Sequence, residues 1–204
     1  TNQQQNIRLL AVKALSDINR NGAYANIKLQ EYLQKYHLSD LDRRFFTELV
    51  YGVIRRKNYL DAIIVYFAKR PLKKLSSMVV EILRLGIYQI IYMDKVPESA
   101  AVNESVKLAK KLTRGLSGFV NAILRSVLRE SDSISIGELA KSEAEEISFI
   151  YNQPLWLVTL WMNEMGKDKT VDLCAWFNEQ PRLTARINTV KVSIEDCLKE
   201  LVDL

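Results

Sequence analysis

The chain has 204 residues, 48% of them hydrophobic and 26% charged, and it carries a formal net charge of +5. This composition is typical of a globular protein, and no apolar run reaches the roughly 18 residues that span a bilayer. The one histidine, His37, and the two cysteines, Cys174 and Cys197, have no metal-ligand or redox spacing. We therefore expect a cytoplasmic protein with no metal and no membrane partner.

Helical periodicity dominates the first three quarters of the chain. Apolar residues recur at helical spacing in three early segments, which predict helices over 7–18, 25–36 and 58–69. Between the last two, Ser39 predicts the N-cap of a long helix, because its hydroxyl can accept the backbone N–H of Asp42. The arginines that close this helix, Arg55 and Arg56, are interpreted as partners of the helix dipole.

The segment 75–93 is the most apolar part of the chain. Its apolar residues lie nearly all round the helix, which predicts a central buried helix. Gly86 inside it costs about 1 kcal/mol relative to alanine, so we expect a neighbouring backbone to approach closely there. Two more helices are predicted, one beginning after Pro97 and one over 118–129.

The composition of the chain changes after residue 129. The segment 130–146 carries six acids and one lysine, and it contains a predicted linker and a predicted N-cap at Ser142. Two apolar helices are expected after Pro154. The segment 182–192 alternates apolar and polar residues and predicts a strand, after which Ser193 caps a last helix. The strand and this helix indicate the start of a second domain.

A basic surface is the main functional signal. Between Ser105 and Arg129 there are six lysines and arginines and no acidic residue. They are spread over two predicted helices, at Lys107, Lys110, Lys111, Arg114, Arg125 and Arg129. Mobile or forked cations outside the packed faces suit contacts with phosphate. A solvated helix face explains them equally well.

Catalytic motifs are missing from the sequence. There is no phosphate-binding loop, no dinucleotide-binding turn and no nucleophile elbow. Cys174 lies on an apolar helix face, where a cysteine is usually part of the core. We therefore assign no catalytic residue.

Five stretches carry a family resemblance when they are taken together and in order. They are DRRFFTELVYGVIRR (42–56), LRLGIYQIIYMDKVPESAAVNESVKLAKK (83–111), GFVNAILR (118–125), YNQPLWLV (151–158) and PRLTARINTVK (181–191). In this order they resemble the N-terminal part of the bacterial ribosomal RNA small-subunit methyltransferase B family, the Sun or Fmu proteins.

The resemblance implies an all-α architecture for this chain. It implies a NusB-like helical RNA-binding domain over 1–130, followed by a linker and connector helices over 131–180. The truncated start of the methyltransferase's N-terminal α/β subdomain is expected over 181–204.

The resemblance also implies a chemistry for the whole protein. Members of the family transfer a methyl group from S-adenosylmethionine to C5 of a cytosine in 16S ribosomal RNA. Their cofactor loop and catalytic cysteines have no match here and are expected beyond Leu204. This part is therefore expected to bind no cofactor and to be inactive alone. The implied partners are 16S ribosomal RNA and the protein's own C-terminal methyltransferase domain.

The sequence leaves alternatives both for the residues that contact RNA and for the role of this region. In NusB, RNA contacts involve an arginine-rich N-terminal helix, where this sequence offers Arg8, Lys13 and Arg20. Arg8 is therefore a further candidate, and the basic surface over 107–129 is the alternative. Asn121 is expected either to bond a neighbouring helix or to contact RNA. The open roles are RNA docking, protein interaction through an apolar patch, and packing against the catalytic domain.

Overall fold

A computed structural model describes residues 6–130, 135–179, 184 and 186–202. In these ranges the regular elements are twelve α-helices and one 3-10 turn, Leu72–Lys74. The helices are α1 Ile7–Asn21, α2 Ala25–Lys35, α3 Asp40–Arg55, α4 Lys57–Ala68, α5 Ser77–Tyr92, α6 Glu98–Leu112, α7 Ser117–Glu130, α8 Ile136–Leu139, α9 Glu143–Tyr151, α10 Leu155–Met165, α11 Lys167–Asn178 and α12 Ile194–Val202. The predicted all-α class is confirmed. Within the described ranges, every helix is too short or too polar to cross a membrane.

The central helix of the bundle is α5, as its all-round apolar sequence predicts. Every residue from Val79 to Gln89 is buried, and α5 contacts α1, α3, α4, α6 and α7. A Cβ atom at Gly86 would lie 2.8 Å from Ser105 Oγ on α6 and 2.9 Å from Leu124 Cδ2 on α7. The expected close approach is therefore made by two side chains, which leave no room for even an alanine methyl group.

The predicted helix caps are present. Ser39 Oγ accepts the backbone N–H of Asp42 at 3.2 Å at the start of α3. At α9, Ser142 Oγ accepts the N–H of Glu145 at 3.2 Å. The Glu145 carboxylate in turn accepts the N–H of Lys141, one residue before the cap. The two serine hydroxyls thus satisfy backbone donors that a helix start leaves free.

The helices α9 to α11 form a second, smaller core that packs on the bundle. Ile147, Val158 and Cys174 are buried in it. The rings of Tyr59 on α4 and Phe149 on α9 lie 6.4 Å apart. The amide of Asn58 donates to the carbonyl oxygen of Gln153 at 3.2 Å, which ties α4 to the α9–α10 loop. These three helices, which we call the connector, are therefore docked on the bundle.

The predicted strand over 182–192 is wrong in the part that the structure describes. Residues 182, 183 and 185 lie outside the described residues, and no strand occurs in 186–192. Asn188 makes a turn, because its side-chain oxygen accepts the N–H of Val190 and its carbonyl accepts the N–H of Lys191. Such local side-chain bonds compete with strand pairing. The predicted cap follows at Ser193, whose hydroxyl accepts the N–H of Asp196.

Candidate nucleic-acid interface

The predicted basic surface lies on the hairpin of α6 and α7. All six of its cations are exposed, namely Lys107, Lys110, Lys111, Arg114, Arg125 and Arg129. The two helices are antiparallel, because Arg125 near the end of α7 lines a cavity of about 270 Å³ with Glu98 and Asn103 near the start of α6. Arg125 thus lies beside Asn103, and Lys110 lies seven residues further along α6, or about 10 Å at 1.5 Å per residue. The cations of α6 and those of α7 therefore form two groups at different positions along the hairpin.

The first group, which we call the α6 patch, consists of Lys107, Lys110, Lys111 and Arg114. The side chains of the last three form no hydrogen bond or ion pair with any residue that the structure describes. Lys107 Nζ lies 2.7 Å from Glu104 Oε1, in an ion pair in which the lysine side chain is 71% exposed. Exposed pairs of this kind stabilise a protein little. The α6 patch therefore presents charges that an anion can reach.

The second group, the α7 pair, consists of Arg125 and Arg129, and both are held by neighbours. Arg125 Nε donates to Asn121 Oδ1 at 3.1 Å. Arg129 donates to Ser126 Oγ at 3.3 Å and pairs with Glu130 at 3.0 Å. Among the described residues, the Asn121 side chain thus bonds along its own helix, where residues four apart are neighbours. The α7 pair is more restrained than the α6 patch.

Arg8 has a different environment from the six exposed cations. It is half-buried, its Nε donates to Gln89 Oε1 at 2.6 Å, and its guanidinium lies 5.0 Å from the centre of the Phe45 ring. Burial lowers the pKa of Arg8, and the charge of Glu104 opposes this shift. These contacts tie α1 to α3 and α5. Its predicted contact with RNA stays a prediction.

A buried ionic network lies inside the bundle. Arg84 donates to both carboxylate oxygens of Asp61, at 2.6 and 2.8 Å, and to Glu81 Oε1 at 2.7 Å. Asn19 also donates to Glu81 Oε1, at 3.0 Å. Burial would lower the pKa of Arg84, but the bonds and charges of Asp61 and then Glu81 raise it. Glu81 Oε2 is buried and accepts no hydrogen bond from the described residues, whereas Arg84 bonds both of its acidic neighbours, so we assign the network to the fold.

The cysteines and the acidic residues give no catalytic or metal site in the described ranges. Cys174 is buried, and burial raises the pKa of its thiol, which disfavours the nucleophilic thiolate. Its predicted place in the core is confirmed. No group of three histidines, cysteines, aspartates or glutamates that could hold a metal occurs in this part of the chain.

A larger cavity was not predicted from the sequence. It measures about 790 Å³ and lies where the end of α3 meets the ends of α9 and α11. We call it the junction cleft, and its lining includes Arg55, Arg56, Asn152, Phe177 and Glu179. The adjacent arginines were its only signal in the sequence, where they were interpreted as partners of the helix dipole.

Two family models match different parts of the chain. The NusB family model matches residues 5–129. The model described as the Methyltr_RsmF/B-like, ferredoxin-like domain matches residues 153–204. Helices α1 to α6, which include the α6 patch, thus fall within the first match, and α10 to α12 fall within the second.

Curated relatives of two kinds are similar to the chain. The probable ribosomal RNA small subunit methyltransferase B of Synechocystis sp. is 41% identical, over 97% of this chain and 44% of its own length. The protein of the same name from Bacillus subtilis is 31% identical, over 98% and 44%. The transcription antitermination protein NusB of Finegoldia magna is 30% identical, over 63% and 96%. The chain therefore spans less than half the length of the two methyltransferases.

Solved structures are similar in fold. The structure of T. maritima NusB has a TM-score of 0.55 and 26% sequence identity, and the match covers 61% of this chain and 89% of that one. The crystal structure of PH0851 has a TM-score of 0.65 and 16% identity, over 100% of this chain and 46% of that one. The second similarity bears on the fold alone, and it extends along the whole chain.

Proposed function

The chain belongs to the NusB family, and we propose that it is the RNA-docking region of a ribosomal RNA small-subunit methyltransferase. The relatives named as such methyltransferases align with nearly the whole chain, across both matched domains. The NusB relative aligns with 63% of it. A free-standing antitermination factor would leave the ferredoxin-like match unexplained.

The α6 patch is the observation that carries the docking role. Three of its four cations have no protein partner among the described residues, and no acidic residue occurs between Ser105 and Arg129. Phosphate contacts position a protein on RNA without reading its sequence. The α6 patch has the charge and exposure for such contacts, and 16S ribosomal RNA is the proposed ligand.

The proposed reaction is methyl transfer from S-adenosylmethionine to C5 of a cytosine, performed outside the described residues. A Rossmann-type cofactor cradle needs a strand that leads into a glycine turn and a helix, and no strand occurs in the described ranges. The buried thiol of Cys174 does not fit a nucleophile. We therefore propose that the described residues serve binding and that other residues hold the cofactor.

A charge-reversal experiment tests the docking role. The variant Lys110→Glu/Lys111→Glu is compared with Lys73→Glu/Lys74→Glu, which changes the same charge at exposed lysines on the 3-10 turn. We expect the first variant to lose affinity for a 16S-derived RNA hairpin by at least tenfold and the second to lose much less. Equal losses would show that only the net charge matters, and would contradict docking through the α6 patch.

A second role is favoured by a separate observation. Large apolar side chains on α10 and α11 are exposed, among them Trp156 at 69% and Trp176 at 63%. Exposed apolar groups of this size are typical of surfaces that another protein segment covers. We propose that the chain beyond Leu204 packs on this surface. Hydrogen exchange of α10 and α11 should slow in a longer chain, and unchanged exchange would contradict this packing.

A further inference from the structure

The junction cleft has walls that are fixed by the protein's own contacts. The side-chain amide of Asn178 on α11 donates to the carbonyl oxygen of Tyr151 on α9 at 2.9 Å. On the opposite wall the Arg56 guanidinium lies 5.2 Å from the centre of the Tyr92 ring. The volume of about 790 Å³ lies within the range of small-ligand pockets, about 300–1,000 Å³. The cleft is therefore large enough for a nucleotide.

An aromatic platform stands at this cleft. The Phe177 ring is parallel to that of Trp161, with an interplanar angle of 1° and centroids 5.7 Å apart. The centroid of the Trp176 ring lies 5.2 Å from that of Phe177, with an angle of 73° between the two rings. The Phe177 side chain is nevertheless 52% exposed. A ring that is held in place on one side and open to solvent offers a surface on which a nucleic-acid base can stack.

The charges of the cleft suit a phosphate on one side. Arg55 is exposed, and its side chain has no hydrogen bond or ion pair within the part of the chain that the structure describes. Its forked guanidinium matches the geometry of a phosphate. Glu179 also lines the cleft and repels an anion on its own side. These two charges together favour a phosphate that lies beside Arg55.

A polar atom in the cleft lacks a partner. Asn152 Oδ1 is buried, and no described residue donates a hydrogen bond to it. The backbone of Asn152 is left-handed, with φ of 52°, and the residue ends α9. A buried acceptor normally has a donor. The N–H groups on the edges of bases are donors of the required kind.

From these features we propose that the junction cleft binds one unpaired nucleotide of RNA. Phe177 stacks on the base and Arg55 contacts the phosphate. Asn152 Oδ1, which is covered in the free protein, turns towards the cleft on binding and accepts a hydrogen bond from the base edge. The proposal rests on the docking role, since it takes RNA as the ligand. It adds a site for single-stranded RNA at the junction between the bundle and the connector, separate from the phosphate contacts of the α6 patch.

The test measures the affinity of the chain for two forms of one 16S-derived hairpin, one blunt and one with a short single-stranded flank, by fluorescence anisotropy. We expect the flank to raise the affinity about five- to 150-fold, the range typical of base stacking. Phe177→Ala and Arg55→Gln should each remove most of this gain. Trp156→Ala and Arg70→Gln, which change an exposed tryptophan and an exposed arginine outside the cleft lining, should keep it.

The outcomes separate the nucleotide site from the docking role. If the blunt hairpin binds and the flank adds nothing, the nucleotide site is wrong and docking stands. A flank effect that survives both Phe177→Ala and Arg55→Gln also overturns the site. If neither hairpin binds at low salt, both proposals fail. Arg55→Gln changes an exposed side chain, so its result does not depend on whether Phe177→Ala leaves the connector folded.

Discussion

At the scale of single residues, two helical glycines in the bundle have opposite surroundings. A Cβ atom at Gly52 on α3 would overlap the ring of Tyr88, which is buried and hydrogen-bonded to Glu48. Gly118 on α7 has no atom within 4 Å of its Cβ position. The first glycine is required by packing, whereas the second only weakens its helix.

We predict opposite effects of alanine at these two glycines. Gly52→Ala should lower the free energy of unfolding by about 1–3 kcal/mol, because an overfilled core must move. Gly118→Ala should raise it by up to about 1 kcal/mol through helix propensity. Urea denaturation of both variants checks the pair. A neutral or stabilising Gly52→Ala would contradict the packing at Tyr88.

The buried carboxylate of Glu81 predicts a dependence of stability on pH. Burial raises its pKa above the usual value of 4.5, while Arg84, Lys57 and Asn19 oppose the shift and Asp61 adds to it. Because the folded state holds this proton more tightly than the unfolded state, the group's contribution to stability is largest below about pH 4.5. It falls as the pH rises through the raised pKa.

Glu81→Gln tests this dependence, because glutamine does not titrate. The difference in unfolding free energy, wild type minus variant, should decrease as the pH rises from about 4 to 7. Chemical denaturation at several pH values measures it, and Glu138→Gln, at an exposed glutamate, is the matched control. A difference that rises with pH would contradict the prediction, because it would show that the ion pair with Arg84 lowers the pKa of Glu81 by more than burial raises it.

At the scale of elements, the helices and their caps were predictable because their signals are local. Ser39, Ser142 and Ser193 each accept the backbone N–H three residues on, as their spacing indicates. The strand over 182–192 was mispredicted in its described part because alternation was weighed without the turn that Asn188 makes. Exposure of the basic residues was also predictable, since it follows from helical periodicity.

The separation of the basic residues into two groups was not predictable from the sequence. It depends on how α6 and α7 pack, and therefore on tertiary contacts. The same holds for the junction cleft, where Arg56 and the carbonyl oxygen of Ile150 meet across 94 residues of sequence. Periodicity places a side chain on a face, but it does not say which distant element that face will meet.

We predict that the two groups of cations contribute unequally to RNA binding. Lys110→Ala/Lys111→Ala should reduce the slope of log K against log salt by about two, because each lysine neutralises about one phosphate. Arg125→Ala/Arg129→Ala should reduce it by less, because both arginines are held by neighbours in α7. A larger effect of the arginine variant would move the interface to the other end of the hairpin.

At the scale of the whole molecule, the connector is held on the bundle by few contacts. Asn58 on α4 donates to Gln153, and Tyr59 packs against Phe149. Because the connector's own core is small, its position depends on this interface. The junction cleft exists only while the connector is docked, so its geometry reports on the arrangement of the two parts.

Asn58→Ala tests this arrangement. The variant removes two hydrogen bonds at the interface, to the Ser148 hydroxyl and to the Gln153 carbonyl, each worth about 0.5–1.5 kcal/mol, and leaves the core of the bundle unchanged. We expect faster hydrogen exchange in α9 and α10 with unchanged exchange in α5. Asn163→Ala, at an exposed asparagine on α10, is the control. Equal acceleration in α5 would show that bundle and connector unfold as one unit.

The most direct test of the docking role is the salt dependence of binding between the unmodified chain and a 16S-derived hairpin. If the four cations of the α6 patch each neutralise a phosphate, log K should fall with log salt with a slope of about −3 to −4. Tight binding at low salt with this slope is the predicted result. Absence of binding at low salt, or binding that salt does not weaken, would contradict docking through the α6 patch.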